Sequence, residues 1–493
     1  MIHRLAGSRA SRRVTRLSVM LASSALCALS AAPTHAQQAD LEALVRRQAE
    51  QIARLEARLN ALEATTKPAA SSQAQVAPPA VPALAAPAPT PVTSELATRL
   101  AKVEQVQAKQ SRIDWARGGP EFSSADGSFT FHPRLRLFLD ASTTSGSKLD
   151  SRNLTGTEGR DFMLGFDGRL GGPLSYLVEV AFTDNKTSVK NVFVAWTQPV
   201  GGDNLELSVG NRVTERTMEG STAINDIHFL ERNAVAAATQ PQAGYYGMGV
   251  RARYLGRGWH IGLEASGNDI NELGAANDTA LVSTRVHWTP LSTPRGLIHL
   301  GAWGYLEDIS SGTTSASRNI YIGGHFADAL QIRSGTVSGP SSSAAYGVEL
   351  AESLGPTWAI AEYGHREINA ASTHPQIDAY ALSAGWFLTG EHIAYAARTG
   401  IWGRQTVSKA FNAGGPGAVE LVGRYEHAAL FENVGLAGVG GAGSAVTVGL
   451  NWYLTPNVKL AGSYSAWRTD NASGSIIGPD DGQTLAASMR LTY

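Results

Sequence analysis

The chain has 493 residues, 43% hydrophobic and 17% charged, with 52 glycines, a single cysteine and a formal net charge of −1. No apolar run reaches the 18 or so residues a spanning helix needs, which excludes a helical membrane protein. No basic tail or patch argues for nucleic acid, and the charge is spread unevenly: residues 118–493 hold 26 Lys and Arg against 34 Asp and Glu.

The N-terminus reads as an export signal over residues 1–36. Arg4, Arg9, Arg12, Arg13 and Arg16 precede an apolar core from Leu17 to Leu29, and Thr34-His35-Ala36 fits a cleavage site. Cys27 has Leu26 before it, where a lipidated cysteine wants a small residue, so the expected mature chain carries no thiol. Residues 37–65 then carry Leu41, Val45, Gln48, Ile52, Leu55, Leu59 and Leu62 at spacings of three and four, the seam of a short coiled coil. A run this short is marginal as a lone helix, so self-association is expected, with a frayed amphipathic helix as the alternative. Seven prolines amid Ala and Ser make residues 66–93 an extended linker. A second short helix is expected over 94–117 from Leu96, Leu100 and Val103.

From residue 118 onward the period changes to two. Leu135, Leu137 and Leu139 alternate with Arg134, Arg136 and Phe138; Met248, Val250, Ala252 and Tyr254 alternate with Arg251 and Arg253. The pattern persists to the end, where Leu485, Ala487, Met489, Leu491 and Tyr493 interleave with Thr484, Ser488, Arg490 and Thr492. A terminal strand of this kind leaves an open edge unless the sheet closes on itself. The fold class expected is therefore all-β, a transmembrane barrel with apolar residues toward lipid and polar residues toward a wet lumen. An arginine facing lipid at the midplane costs about 2–4 kcal/mol, so Arg134, Arg136, Arg251 and Arg253 must point inward.

Short Gly/Pro links at Gly171-Gly172-Pro173, Gly256-Arg257-Gly258, Gly355-Pro356 and Thr455-Pro456-Asn457 alternate with longer polar ones, as periplasmic turns alternate with outer loops. That parity fixes the count. A naive reading finds a seventeenth strand from Asn319 to Ala327, but Ile298/Leu300/Ala302 must ascend and Tyr346/Val348/Leu350 must descend. Residues 307–344 are then one loop, and the barrel has sixteen strands. Connections 213–244 and 389–417 are also too long to be ordinary links, and in a wide barrel the expected use of such length is to fold inward and narrow the channel.

The segments FHPRLRLFLDAS (131–142), GFDGRLGGPLSYLVEVAF (165–182), GWFLTGE (385–391) and GLNWYLTPNVKLAGSYSAW (449–467) resemble the phosphate- and polyphosphate-selective porin O and P family. The resemblance extends across roughly 120–493, and many members also carry a preceding coiled coil and proline-rich linker. It implies a sixteen-stranded, trimeric outer-membrane barrel that passes phosphate or other anions, with arginines and lysines on inward-folded loops replacing phosphate hydration.

Anion selectivity needs cations converging on a narrow passage, and the planar fork of arginine suits phosphate. By position the candidates are Arg212 and Arg216 entering the 213–244 connection, and Arg232 within it. Arg318 and Arg333 lie in the 307–344 loop; Arg398, Arg404 and Lys409 lie in the 389–417 insertion. Arg134, Arg136, Arg251 and Arg253 line the wall by alternation. The competing reading pairs wall arginines with Asp140, Asp167, Glu179, Glu206 and Glu264, so that they only stiffen the barrel. With five lysines and a net −8 over residues 118–493, a general or weakly selective pore stays open as an alternative.

No catalytic constellation competes. Gly438 to Gly443 matches GxGxxG but precedes a strand, not a helix; no HExxH or GxSxG occurs, and neither cofactor nor metal is expected. The partners expected are outer-membrane lipid, small anions, two further copies of the chain, and peptidoglycan through the N-terminal segment. That last contact gives a second reading, a structural tether between outer membrane and cell wall with a plugged lumen.

Overall fold

The computed structural model describes residues 111–115, 119–183, 186–272 and 278–493, together with Arg99 and Lys102. The expected signal, coiled coil and linker lie outside the described residues. Within the 94–117 segment, where a helix is expected, Arg99 and Lys102 are helical but Arg112–Asp114 is a strand. It pairs with Glu121–Ser123, which in turn continues onto the first barrel strand through Phe122 and Phe131.

Sixteen antiparallel strands form the wall. They are β1 (Thr130–Ser145), β2 (Thr155–Arg169), β3 (Leu174–Thr183), β4 (Lys186–Val200), β5 (Asp203–Val213), β6 (Tyr246–Leu255), β7 (Trp259–Ser266) and β8 (Ala280–Thr293). Then follow β9 (Gly296–Asp308), β10 (Ser342–Leu354), β11 (Thr357–Asn369), β12 (Gln376–Phe387), β13 (Ala418–Leu430), β14 (Gly441–Thr455), β15 (Val458–Asn471) and β16 (Gly478–Thr492). β16 pairs with β1, Met489 opposite Leu139, and the final residue closes the seam: Tyr493 and Leu135 exchange both backbone hydrogen bonds at 3.0 Å. Closure pairs both edges of the sixteen-strand sheet, as a bilayer requires of a spanning sheet.

The alternation of the sequence becomes the two faces of this wall. Leu164, Val250 and Val448 are 46%, 54% and 50% exposed on the outside, while Met163, Arg251 and Thr447 turn inward. The sixteen-strand count holds because Ser315–Tyr321 and Gln331–Ser338 pair only with each other, as a hairpin within the 309–341 loop.

Half of the lumen is filled. The inner faces of β9 to β15 carry Trp303, Tyr305, Trp358, Ile360 and Ile377, too apolar for a wet wall, and three insertions cover them. The 214–245 loop, which contains α1 (Met218–Ser221) and α2 (Ala234–Ala238), sets Met218 and Phe229 against Trp358 and Phe387. The 309–341 hairpin packs Ile320 and Ile332 into one core with Val235 of α2 and Ile377 and Leu430 of the wall. From the periplasmic end, the 388–417 insertion brings Ile393 and Trp402 into the core around Met218.

Candidate functional site

The inward loop is pinned by wall carboxylates that satisfy the unpaired amides at its helix starts. Glu362 of β11 accepts from Met218 N at 2.6 Å and from Asn233 Nδ2 at 2.5 Å, so one carboxylate holds both short helices. Asn233 caps α2 by accepting from Ala236 N at 3.0 Å, and Glu426 of β13 accepts from Ala234 N at 2.8 Å. Gly364 on β11 makes room, since a Cβ there would stand 2.8 Å from Thr239 Cγ2 and 2.9 Å from Val235 Cγ1. Across the barrel, Lys459 Nζ and Arg490 Nη2 donate to the carbonyls of Ile227 and Leu230 at 3.0 and 2.5 Å.

The periplasmic insertion is tied to β8 and β9. Arg285 forks onto Glu349 at 2.9 and 2.7 Å and donates to the carbonyls of Thr399 and Gly400 at 2.9 and 2.7 Å. Tyr395 hydrogen-bonds His299 at 2.7 Å and Thr289 at 2.9 Å. The two insertions meet where Trp402 N donates to Thr222 Oγ1 at 3.2 Å.

What remains open lies between these insertions and the wall of β1 to β6: a cavity of about 440 Å³. Arg134, Arg136, Arg212, Arg232, Arg251 and Arg253 line it, with Arg160 and Lys190; against these eight cations stand three carboxylates, Asp161, Glu179 and Glu215. A second cavity shares Arg134, Phe193, Arg212 and Arg253 with the first and reaches Gly168, Arg169 and Ser175, which flank the periplasmic turn between β2 and β3.

The arginines are held in fixed poses by carboxylates they share. Arg253 takes Glu206 at 2.7 Å and Glu215 at 2.9 Å; Arg212 takes the same Glu206 at 3.1 Å; Arg251 reaches Glu215 at 3.6 Å and Glu264 through Nε at 2.8 Å. Arg134 lies 3.2 Å from both Asp167 and Glu179, and Arg136 2.6 Å from Asp161. The Arg212 guanidinium stacks over the Phe193 ring at 3.9 Å. Burial pushes the Glu215 carboxyl up, but Arg251 and Arg253 outweigh it and hold the group well below the usual carboxylate range. Pairing and an uneven lining coexist: eight cations and three carboxylates face the cavity, while Asp167, Glu206, Glu231 and Glu264 pair with those cations from behind the lining.

Of the residues singled out in the sequence, the structure brings Arg134, Arg136, Arg212, Arg232, Arg251 and Arg253 together at this cavity. Arg216 is fully buried inside its own loop, donating to Ala236 O at 2.5 Å, and Arg318 donates to Gln240 O at 2.6 Å as a clamp between loops. The Arg333 side chain donates to Asp328 O at 3.4 Å, away from the cavity lining. Arg398, Arg404 and Lys409 sit on the periplasmic insertion outside the cavity lining, Arg398 and Lys409 exposed.

Arg160 and Lys190 escaped the alternation reading for a shared reason. On β2 the partners of Phe138 and Leu139 are Asp161 and Gly159, so Arg160 is the extra residue of a β-bulge. On β4 the partners of Val178 and Val180 are Val192 and Val189, which leaves Lys190 and Asn191 together opposite Glu179. Each bulge lets two successive side chains face inward. The signal was available: both residues are cations at positions that strict alternation would point at lipid, a cost only a bulge removes.

A closed barrel with an apolar exterior and a charged cavity beside inward-folded loops has the architecture of a porin of the bacterial outer membrane. The chain belongs to the phosphate-selective porin O and P family, whose sequence model matches residues 131–493. An uncharacterized protein of Caulobacter vibrioides is 27% identical over 459 residues, covering 90% of this chain and 88% of its own. Among solved structures, a loop L8 deletion of OmpT, an outer membrane protein of Vibrio cholerae, aligns at TM-score 0.48 and 10% identity over 74% of this chain and all of that one. An anion-selective porin from Comamonas acidovorans aligns at 0.44 and 11% identity, over 74% of this chain and 100% of that one.

Proposed function

We propose that this porin is a passive channel selective for small anions, phosphate among them, and that it works as a homotrimer. The observation that carries the reading is that eight cations and three carboxylates line the open cavity, in a barrel whose 118–493 segment is net −8. Selectivity follows the local field at the passage, not the sum over the chain. The excess carboxylates lie elsewhere, among them Glu420, which holds the loop, and exposed residues such as Asp308 and Asp481.

Partial neutralisation suits conduction. An arginine already shared with Glu206 or Glu215 offers an incoming anion part of its charge, so each site binds weakly and the next lies close. Reconstitution in a planar bilayer under a KCl gradient tests the proposal. The reversal potential is expected to show chloride preferred over potassium, with added phosphate permeating; potassium preference would overturn it. The trimer is tested by sizing the detergent-solubilised protein.

A further inference from the structure

The cavity has two unlike sides. The strand side holds seven of the eight cations, Arg232 alone coming from the loop, with the rings of Phe193 and Tyr246 among them: Arg212 lies 3.9 Å over Phe193, and Lys190 5.7 Å over Tyr246. Facing them, the loop run Ser221-Thr222-Ala223-Ile224-Asn225 and Ile401 of the periplasmic insertion bear no charge. Ala223 is exposed and Ile224 and Ile401 are only half-buried, so these apolar groups are not used up by either hydrophobic core. Their backbone is fixed: Ile224 O accepts from Arg490 at 3.3 Å, and Ile401 precedes the Trp402 amide held by Thr222.

An inorganic anion engages the cationic side alone and leaves Ala223, Ile224 and Ile401 against water. A carboxylate carried on a compact ring engages both. Its charge meets guanidinium forks, its faces stack on guanidinium planes and aromatic rings, and its apolar edge covers the aliphatic groups opposite. We propose that the cavity favours small amphiphilic carboxylates, aromatic ones above all, over inorganic or purely polar anions of equal charge. The proposal rests on the anion reading above and names the class of anion for that same passage.

The test uses the full chain in a planar bilayer and reads block of the chloride current by benzoate, acetate and benzylammonium. Benzoate is expected to reach half-block at a concentration about threefold or more below acetate, as the burial of a few methylene equivalents implies. Benzylammonium, which has the ring without the negative charge, is expected to block least. In Ile224→Asn, and separately in Ile401→Thr, the benzoate advantage shrinks toward unity while the chloride-over-potassium preference stays at the wild-type value. Two variants on separate insertions guard against one that fails to fold. Equal half-block by benzoate and acetate in the wild type, or an advantage untouched by both variants, overturns the inference and leaves anion selectivity standing. Loss of chloride preference in the wild type overturns both.

Discussion

Arg160 on the barrel wall grips Glu231 of the inward loop in a two-point fork, Nε to Oε1 at 2.7 Å and Nη2 to Oε2 at 2.9 Å. The pair bridges β2, which bounds the open half of the lumen, to the loop that fills the other half. Arg160→Ala and Glu231→Ala should therefore both loosen the loop and raise single-channel conductance with added current noise. Their effects on selectivity should oppose each other. Losing Arg160 removes a cation and frees a carboxylate, lowering the chloride-to-potassium ratio, whereas losing Glu231 frees the cation and raises it. Shifts in the same direction would show that the fork does not set the field in the cavity.

The same pair gives a pH signature. Burial pushes the Glu231 carboxyl up, but Arg160 beside it outweighs burial and holds it below the usual range. A carboxylate depressed in the folded protein contributes its full stabilisation above the unfolded value, about 4.3 for Glu, and loses it as pH falls through the depressed one. The part of the conductance set by this pair should stay unchanged from about pH 8 to about pH 5 and rise only in more acidic solution. Glu231→Gln should abolish that step, measured as single-channel conductance against pH.

Arg212 and Arg216 stand four positions apart at the entry to one loop, and only one of them faces the passage. Arg212 lines both cavities; Arg216 donates to Ala236 O and stacks 4.9 Å from the Tyr245 ring inside the loop. Arg212→Gln should lower the chloride-to-potassium permeability ratio severalfold with little change in thermal unfolding. Arg216→Gln should leave the ratio unchanged and lower the unfolding temperature, since a charge-assisted hydrogen bond of about 1.5–3 kcal/mol is lost. Reversal potentials and unfolding monitored by heat-modifiable gel migration separate the two.

This contrast also marks how far the sequence could be read. Strand parity was legible because lipid taxes a charge heavily, so Arg134, Arg136, Arg251 and Arg253 reveal their side on composition alone. The loop count was legible because a strand must return to the side it left. The aim of a loop arginine was not: whether Arg232 faces the cavity and Arg318 a carbonyl depends on contacts made by Glu362, Glu426 and Arg490 from distant strands. Nor does net charge predict the charge of the cavity lining, because carboxylates such as Glu420 are used for anchoring. The inner apolar residues Trp303, Trp358 and Ile377 were the missed cue that half of the bore would be packed.

The periplasmic insertion depends on one glycine. Gly400 has φ +62°, and a Cβ there would stand 2.4 Å from His287 Cγ, while its carbonyl accepts from Arg285. Gly400→Val should detach the 395–402 hairpin from β8 and leave the rest of the barrel closed. Conductance should rise, and the 388–417 segment should become cleavable by protease added on the periplasmic side. A wild-type conductance together with protease resistance would show that the hairpin is held without this contact.

Glu215 offers the cleanest way to raise selectivity instead of lowering it. Its carboxylate lies 2.9 Å from Arg253 and 3.6 Å from Arg251, and Gly262 leaves it room, since a Cβ there would sit 2.6 Å from Oε2. Both arginines keep a second carboxylate, Glu206 for Arg253 and Glu264 for Arg251, so a neutral isostere does not strand them. Glu215→Gln changes the lining from eight cations against three carboxylates to eight against two. The chloride-to-potassium ratio should increase while the barrel keeps its heat-modifiable migration. Gly262→Ala, which crowds the carboxylate away from its place, should push the ratio in the same direction by less. A ratio that falls in Glu215→Gln would mean that Glu215 positions the arginines more than it neutralises them.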